Sequence, residues 1–178
     1  MLKTLIHTAL LSEAKPLINF LKLKQDTSVQ NLPQGNKLYK DENNKYLLIV
    51  SGIGKENCQK SLEFVYKNFE IEKAINIGIA SCSDSSIKIG TFICTNRLLS
   101  GINFASITTI EPPLETDENL ETLLVDIEAK YFEEISKKNC NNIYIFKVVS
   151  DYLDIKTPVN SLISNLIENS LDKLRKYL

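Results

Sequence analysis

The chain has 178 residues, of which 21 are Lys or Arg and 22 are Asp or Glu, so its formal net charge is −1. Hydrophobic residues make up 43% of the chain, as in an ordinary globular domain. A chain of this size can bury a core large enough to fold as one domain without disulfides or metal ions. The charge lacks the basic excess that binding to a phosphate backbone requires, so we expect no nucleic acid partner.

No apolar run reaches the roughly 20 residues needed to cross a bilayer, and the first residues lack the long apolar stretch of a signal peptide. We therefore expect a cytoplasmic protein with no membrane partner. The four cysteines are widely spaced and form no CxxC pair, and His7 is the single histidine. This composition predicts buried reduced thiols and no zinc site.

Four apolar segments are continuous rather than alternating, which is typical of strands buried on both faces of a sheet. They are Leu2–Leu10, Tyr46–Val50, Ala74–Ala80 and Ile143–Val149. Before the second of them, a strand near Lys37–Tyr39 and a hairpin-type loop at residues 41–44 predict a local antiparallel ribbon.

Three segments have the apolar periodicity of a helix. The first follows Gly54, the second is Glu128–Lys138, and the third begins at Pro158, where proline is tolerated in a first helical turn. Because strands and helices alternate, we predict a single three-layer α/β/α domain, residues 1–178, with a largely parallel sheet.

The region Arg97–Leu124 has little periodicity. It contains Pro112-Pro113 and five acidic residues from Glu111 to Glu121. These features predict a long surface connection of the kind that often covers a site, with its acidic residues in solvent.

Polar or glycine-rich residues follow each of the four buried strands, at Ser12-Glu13, Ser51–Gly54, Ser81–Ser83 and Ser150-Asp151. In open α/β sheets, ligands bind beyond the carboxyl ends of the strands, so these residues predict one binding site. Each also has a structural explanation: a turn that needs glycine torsions, a helix cap or turn at Ser150-Asp151, and an interaction of Glu13 with a helix dipole.

Two polar residues lie inside the predicted strands. His7 is interpreted as a hydrogen-bonded imidazole of the core rather than a catalyst. Burying an unpaired ammonium costs several kcal/mol, so Lys147 is expected to contact a carboxylate.

Five segments recur together in a known order: Ser51–Asn57, Ile75–Ala80, Ile89-Gly90, Val125–Ala129 and Val148–Asp151. In this combination the chain resembles the purine nucleoside phosphorylase/nucleosidase superfamily, closest to its methylthioadenosine/S-adenosylhomocysteine nucleosidase branch. The resemblance implies a mixed central sheet, a small-molecule nucleoside as partner, no metal or redox cofactor, and a homodimer or higher homo-oligomer.

The resemblance also implies how a purine, adenosine-type nucleoside would be cleaved at its N-glycosidic bond. Asp151 corresponds to the general acid that protonates N7 of the leaving base. Glu128 corresponds to the acceptor of hydrogen bonds from ribose hydroxyls, and Glu13 to the carboxylate that positions or deprotonates the attacking water. The remaining residues that the resemblance places at the substrate are Ile127, Gly52, Ile53, Ile79, Ala80, Ser81 and Ser150.

These residue types suit the reaction, because breaking the bond builds positive charge on the sugar and negative charge on the base. To act as an acid near neutrality, Asp151 needs a raised pKa or a proton acquired as the substrate binds. Phosphorolysis requires an oxyanion cradle that in this superfamily usually includes arginines. Since Arg97 and Arg175 are the only arginines, water is the favoured nucleophile.

The sequence departs from the family at several points. Ala80-Ser81-Cys82 replaces Ala-Gly-Gly, Gly90-Thr91 replaces Gly-Asp, and the stretch between Arg97 and Val125 is shorter than in typical members. Phe104 and Tyr131 are candidates for an aromatic wall of the pocket. Two alternatives therefore stay beside the hydrolase: a phosphorylase, and a catalytically inactive nucleoside-binding or assembly module.

Overall fold

The computed structural model describes residues 3–111, 120–153 and 158–178. Its helices are α1 (Leu11–Phe20), α2 (Lys55–Asn68), α3 (Ala129–Ser136) and α4 (Asn160–Leu174). Its strands are β1 (Lys3–Thr8), β2 (Lys24–Gln25), β3 (Lys37–Lys40), β4 (Tyr46–Val50), β5 (Ile71–Cys82), β6 (Phe92–Cys94), β7 (Asn103–Phe104), β8 (Ile107–Thr109), β9 (Leu124–Asp126) and β10 (Asn142–Asp151). Pro112-Pro113 and most of the acidic residues of the predicted surface connection lie outside the described residues.

The described strands form one mixed sheet in the order β2-β3-β4-β1-β5-β10-β6-β7, and β9 and β8 continue from β5. The centre of the sheet is parallel, because β4, β1, β5 and β10 run in the same direction. Antiparallel pairs flank this centre, including the predicted ribbon of β3 and β4. The mixed, mostly parallel sheet of the prediction is confirmed.

Helices cover both faces of the sheet, because successive residues of a strand point to opposite sides. In β1, Ile6 belongs to the apolar cluster that includes α1 and α4, while the neighbouring Leu5 belongs to the cluster that includes α2 and α3. In β4, Leu48 belongs to the cluster with α1 and α4, and the neighbouring Leu47 belongs to the cluster with α2 and α3. The three layers of an α/β/α arrangement follow from this alternation.

The buried strands begin and end close to the predicted positions. Tyr46–Val50 has the predicted bounds, and Ala74–Ala80 and Ile143–Val149 lie inside the longer β5 and β10. Residues Ser150 and Asp151 complete β10, so their interpretation as a helix cap or turn is wrong.

The first strand is shorter than predicted. It ends at Thr8 rather than Leu10, because the backbone N–H groups of Ala9 and Leu10 donate to the Glu13 carboxylate instead of to a neighbouring strand. The chain thereby leaves the sheet at this point and enters α1.

The three predicted helices are present. Helix α2 follows Gly54 as expected, and α3 is shorter than the predicted Glu128–Lys138. Helix α4 begins at Asn160, two residues after Pro158, because Val159 still has an extended backbone with φ −67° and ψ 148°. No helix in the described ranges is both long and apolar enough to span a membrane.

The described part of Arg97–Leu124 is not simply a surface connection, which corrects that prediction. It contains β7 and β8, and it leads into β9, whose three residues are buried. Strands of two or three residues are too short to produce a periodic pattern, so the sequence carried no signal for them.

Candidate active site

A cavity of about 190 Å³ opens where β1, β5 and β10 end. Its lining contains every predicted site residue except Gly52. These residues are Glu13, Ile53, Ile79, Ala80, Ser81, Ile127, Glu128, Ser150 and Asp151. The lining is completed by Ala9, Leu10, Val125, Asp126 and Pro158. The carboxyl ends of the parallel strands therefore form one recess, as the sequence predicted.

Gly52 lies beside the cavity, in the turn from β4 to α2. Its φ is +88°, in the left-handed region that favours glycine, and its N–H donates to the Ala9 carbonyl oxygen at 3.0 Å. A Cβ at this position would lie 3.2 Å from Asn57 Nδ2. The positive φ angle of the turn therefore explains why glycine occupies this position.

The Glu13 carboxylate is buried in the first turn of α1 and is held by three backbone N–H groups. Its Oε2 accepts from Ala9 at 3.0 Å and Leu10 at 2.9 Å, and its Oε1 accepts from Ile79 of β5 at 3.0 Å. An ionised carboxylate has about four acceptor positions, so one position remains on Oε1. Burial raises the pKa of Glu13, and the hydrogen bond from Leu10 and the charge of Lys147 oppose that rise.

Glu128 precedes α3 and lines the cavity. Its Oε1 accepts the N–H of Gly54 at 2.9 Å, while Oε2 has no hydrogen bond to any described residue. Burial raises the pKa of Glu128 to about 7, although the charge of Lys147 and the bond from Gly54 lower it. Near neutral pH this carboxyl group therefore exists in both protonation states, with one oxygen available to a ligand.

Asp126 and Lys147 form a buried ion pair behind the cavity. Lys147 Nζ lies 2.8 Å from Asp126 Oδ2, and each side chain is only 2% exposed. This contact confirms that Lys147 meets a carboxylate. Burial disfavours the charge of Lys147, but the nearby carboxylates of Asp126, Glu128 and Glu13 outweigh it and raise the pKa of the ammonium.

Asp126 also fixes the start of α3. Its carboxylate accepts the Ala129 N–H at 2.8 Å and the Thr109 hydroxyl at 2.6 Å. Sequence reasoning did not select Asp126, although the buried Lys147 indicated that a carboxylate partner existed. Asp126 Oδ2 also accepts the backbone N–H of Glu128 at 3.3 Å, so the ion pair is directly connected to the residue that lines the cavity.

Ser150 and Asp151 both line the cavity although they are adjacent in β10. In a regular strand, successive side chains point to opposite faces. The pairing of β10 with β5 shifts register between Val149 and Asp151, and such irregularities redirect side chains. The Ser150 hydroxyl then donates to Asp151 Oδ2 at 2.6 Å.

His7 lies in the core and outside the cavity lining. The Asn76 side-chain amide lies 2.9 Å from its Nδ1, and the ring is 5.5 Å from that of Phe132. Burial, followed by the charge of Lys147, lowers the pKa of His7 to about 3. The imidazole is therefore a neutral core group, which agrees with the interpretation from the sequence.

The aromatic candidates do not reach the cavity. Phe104 is half-exposed in β7, and the Tyr131 hydroxyl donates to Glu111 Oε1 at 3.1 Å. Neither residue is part of the lining, so that expectation is wrong. The apolar side chains among the described lining residues are aliphatic rather than aromatic, with Ile53, Ile79 and Val125 among them. The four cysteines are buried and free, as predicted.

The architecture is shared with solved enzyme structures. A futalosine hydrolase mutant of Helicobacter pylori strain 26695 matches with a TM-score of 0.81 at 12% identity, over 99% of this chain and 98% of that chain. The chain has a nucleoside phosphorylase-like fold. The S. pneumoniae 5′-methylthioadenosine/S-adenosylhomocysteine nucleosidase with the transition-state inhibitor MT-ImmA matches with 0.79 at 15% identity, covering 99% and 98% of the two chains. The Arabidopsis thaliana 5′-methylthioadenosine nucleosidase matches with 0.76 at 15% identity, covering 99% and 94%.

No protein-family model matches the sequence, and no curated protein matches it significantly. The likeness at 12 to 15% identity is thus one of fold, and it confirms the fold class that the sequence resemblance implied.

The nucleosidase fold is combined here with a strongly acidic cavity. Four acidic side chains line it, those of Glu13, Asp126, Glu128 and Asp151, and no lysine or arginine does so within the described ranges. Lys147 lies behind the lining and is engaged with Asp126. Such a cavity disfavours anionic ligands and favours a ligand on which positive charge develops.

Proposed function

We propose that the chain is a nucleosidase that hydrolyses the N-glycosidic bond of a purine, adenosine-type nucleoside. The observation that carries this proposal is the meeting of Glu13, Glu128 and Asp151 around one cavity at the carboxyl ends of the sheet. Each carboxyl group suits a different part of the reaction, because charge of opposite sign develops on the sugar and on the base.

In this mechanism the oxygen of water attacks C1′ while the bond from C1′ to N9 breaks, and the bonding electrons move into the base. Asp151 donates its proton to N7, which leaves the base neutral. Glu13 accepts the proton of the attacking water on Oε1, the oxygen that retains an acceptor position. Glu128 Oε2 accepts hydrogen bonds from the ribose hydroxyls.

Water is favoured over phosphate as the nucleophile. A phosphate dianion would enter a cavity lined by acidic side chains, and the ammonium of Lys147, which lies behind the lining, already forms an ion pair with Asp126. Placing like charges side by side is unfavourable by several kcal/mol. Hydrolysis therefore requires only the acidic side chains that line the described part of the cavity, whereas phosphorolysis would also require a cationic group to bind phosphate.

The proposal extends to the setting of the enzyme. Residues 1–178 would form one domain that acts in the cytoplasm as a homodimer or larger homo-oligomer. The names of the structural neighbours select the first nucleosides to test, futalosine, 5′-methylthioadenosine and S-adenosylhomocysteine.

A second candidate is a nucleoside-binding module without turnover. It is favoured by the end of β5, where Ser81 and Cys82 stand in place of the two family glycines and Ser81 lines the cavity. Side chains at these two positions would keep a ligand further from the backbone than glycines would.

One assay separates these candidates. The purified protein is incubated with the nucleoside panel, with and without phosphate, and free base and sugar phosphate are separated by chromatography. We expect phosphate-independent release of base, abolished in Asp151→Asn and retained in Asp172→Asn, which makes the same change on an exposed surface of α4. Binding without release would support the module, and unchanged release by Asp151→Asn would reject the role of that residue.

A further inference from the structure

Gly78 lies in the interior of β5 and differs from the other glycines. The other five have positive φ angles, a backbone conformation that favours glycine, whereas Gly78 has no positive φ angle. A glycine inside a strand is less stable than alanine and often marks the close approach of another group. The explanation for Gly78 must therefore be space rather than torsion.

The group that approaches is the Glu13 carboxylate. A Cβ added to Gly78 would lie 2.6 Å from Oε1, 3.3 Å from Cδ and 3.6 Å from Oε2 of Glu13. To reach an ordinary contact of 3.4 Å, the oxygen would have to retreat by about 0.8 Å. The affected oxygen is the one that accepts the Ile79 N–H and keeps an open acceptor position.

The sheet topology explains why a side chain can reach the backbone here. On one edge, β5 pairs with β10 from Lys73 to Ser81. On the other edge, its pairing with β1 ends at Asn76, and its pairing with β9 begins at Ser81. Between them this edge of β5 lacks a strand partner among the described residues.

Glu13 occupies this gap. Its Oε2 is bound by the chain leaving β1, through the N–H groups of Ala9 and Leu10, and its Oε1 is bound by Ile79 of β5. The carboxylate therefore bridges two diverging strands, and its place is determined from both sides. A Cβ on Gly78 would therefore displace Oε1 from this bridge.

We propose that Gly78 is a positioning residue of the reaction, because the absence of its side chain lets the Glu13 carboxylate lie against β5 at the place from which it activates water. This inference rests on the proposed function. A misplacement of about 1 Å in a reacting group lowers turnover on the order of 100-fold, and the displacement computed from the contact is of that size.

The kinetic test compares the wild type with Gly78→Ala and with Ile77→Val, a control in the same strand whose side chain packs in the core outside the cavity. We expect Gly78→Ala to lower kcat about 100-fold with KM changed less than about threefold, because Glu128 and Asp151 are untouched. We expect Ile77→Val to keep its turnover. The proposal would be overturned if Gly78→Ala kept the wild-type kcat, whether or not its KM rose.

A thermal cycle tests the contact without relying on turnover. Gly78→Ala should lower Tm in the wild type, where the new Cβ meets the carboxylate, and raise Tm in Glu13→Ala, where the space is empty and alanine is the better strand residue. The same sign in both backgrounds would refute the contact. If the wild type releases no base, the proposed function fails, while the sign of this cycle still decides whether Gly78 makes room for Glu13.

Discussion

Replacing Lys147 by methionine is expected to destabilise the fold by about 3 to 5 kcal/mol. Its Nζ lies 2.8 Å from Asp126 Oδ2, and both side chains are almost completely buried. At an effective dielectric constant of about 20, unit charges at this distance attract by roughly 6 kcal/mol, part of which offsets the removal of the ammonium from water. Methionine fills a similar volume but leaves the Asp126 carboxylate buried without a counter-charge.

The remaining contacts of Asp126 set where in this range the loss should lie. The Thr109 hydroxyl and the Ala129 N–H still donate to the carboxylate after the substitution, so a value near the lower end, about 3 kcal/mol, is expected. Adding Asp126→Asn to the Lys147→Met variant removes the unpaired negative charge and keeps a side-chain oxygen that can accept the Ala129 N–H. The double variant should therefore be more stable than Lys147→Met alone.

Urea unfolding at pH 7, followed by circular dichroism, measures these differences. A matched control is Lys137→Met, which breaks an exposed pair with Glu133 on α3 at 2.9 Å and should change stability by less than about 1 kcal/mol. The reasoning is refuted if Lys147→Met is as mild as this control, or if Asp126→Asn makes Lys147→Met less stable still.

Two further predictions concern the carboxylate of Glu13 and the core imidazole. Glu13→Gln should lower kcat by about 10² to 10⁴-fold with a smaller change in KM, because an amide cannot accept a proton from water; unchanged turnover in initial-rate assays would exclude Glu13 as the activator. His7 has a pKa near 3 in the fold against 6.5 for the free group, so the unfolded chain binds the extra proton and stability falls as pH drops below about 6.5. Between pH 7 and 5.5 the wild type should lose about 1 kcal/mol more than His7→Gln in urea titrations, and parallel losses would show that His7 is not the titrating group.

The polar residues that line the cavity were predictable from local sequence because strand ends are marked in the chain itself. Tyr46–Val50 stops where Ser51 and the glycines begin, and the strand ending in Ser150-Asp151 is apolar up to Val149. Lys147 was equally informative, because a charge inside an apolar run needs a partner. Such signals depend on neighbours along the chain, so one sequence contains them.

The identity of that partner was not predictable in the same way. Asp126 is separated from Lys147 by helix α3, and β9, in which it lies, is three residues long. A strand this short has no periodicity, and its place is decided by pairing with β5 and β8. The register shift that turns both Ser150 and Asp151 toward the cavity likewise arises from pairing between strands.

The amino-acid sequence alone determined the alternation of strands and helices and the carboxylates and hydroxyls at the strand ends, since both are written in periodicity and composition. Only the tertiary structure decided that, among the described residues, the edge of β5 has no strand partner between its pairings with β1 and β9, that Glu13 fills this gap, and that a Cβ on Gly78 would lie 2.6 Å from the Glu13 carboxylate. The physical reason is that hydrogen-bonding gaps and close contacts are properties of distances between segments far apart in the chain, which no local pattern records.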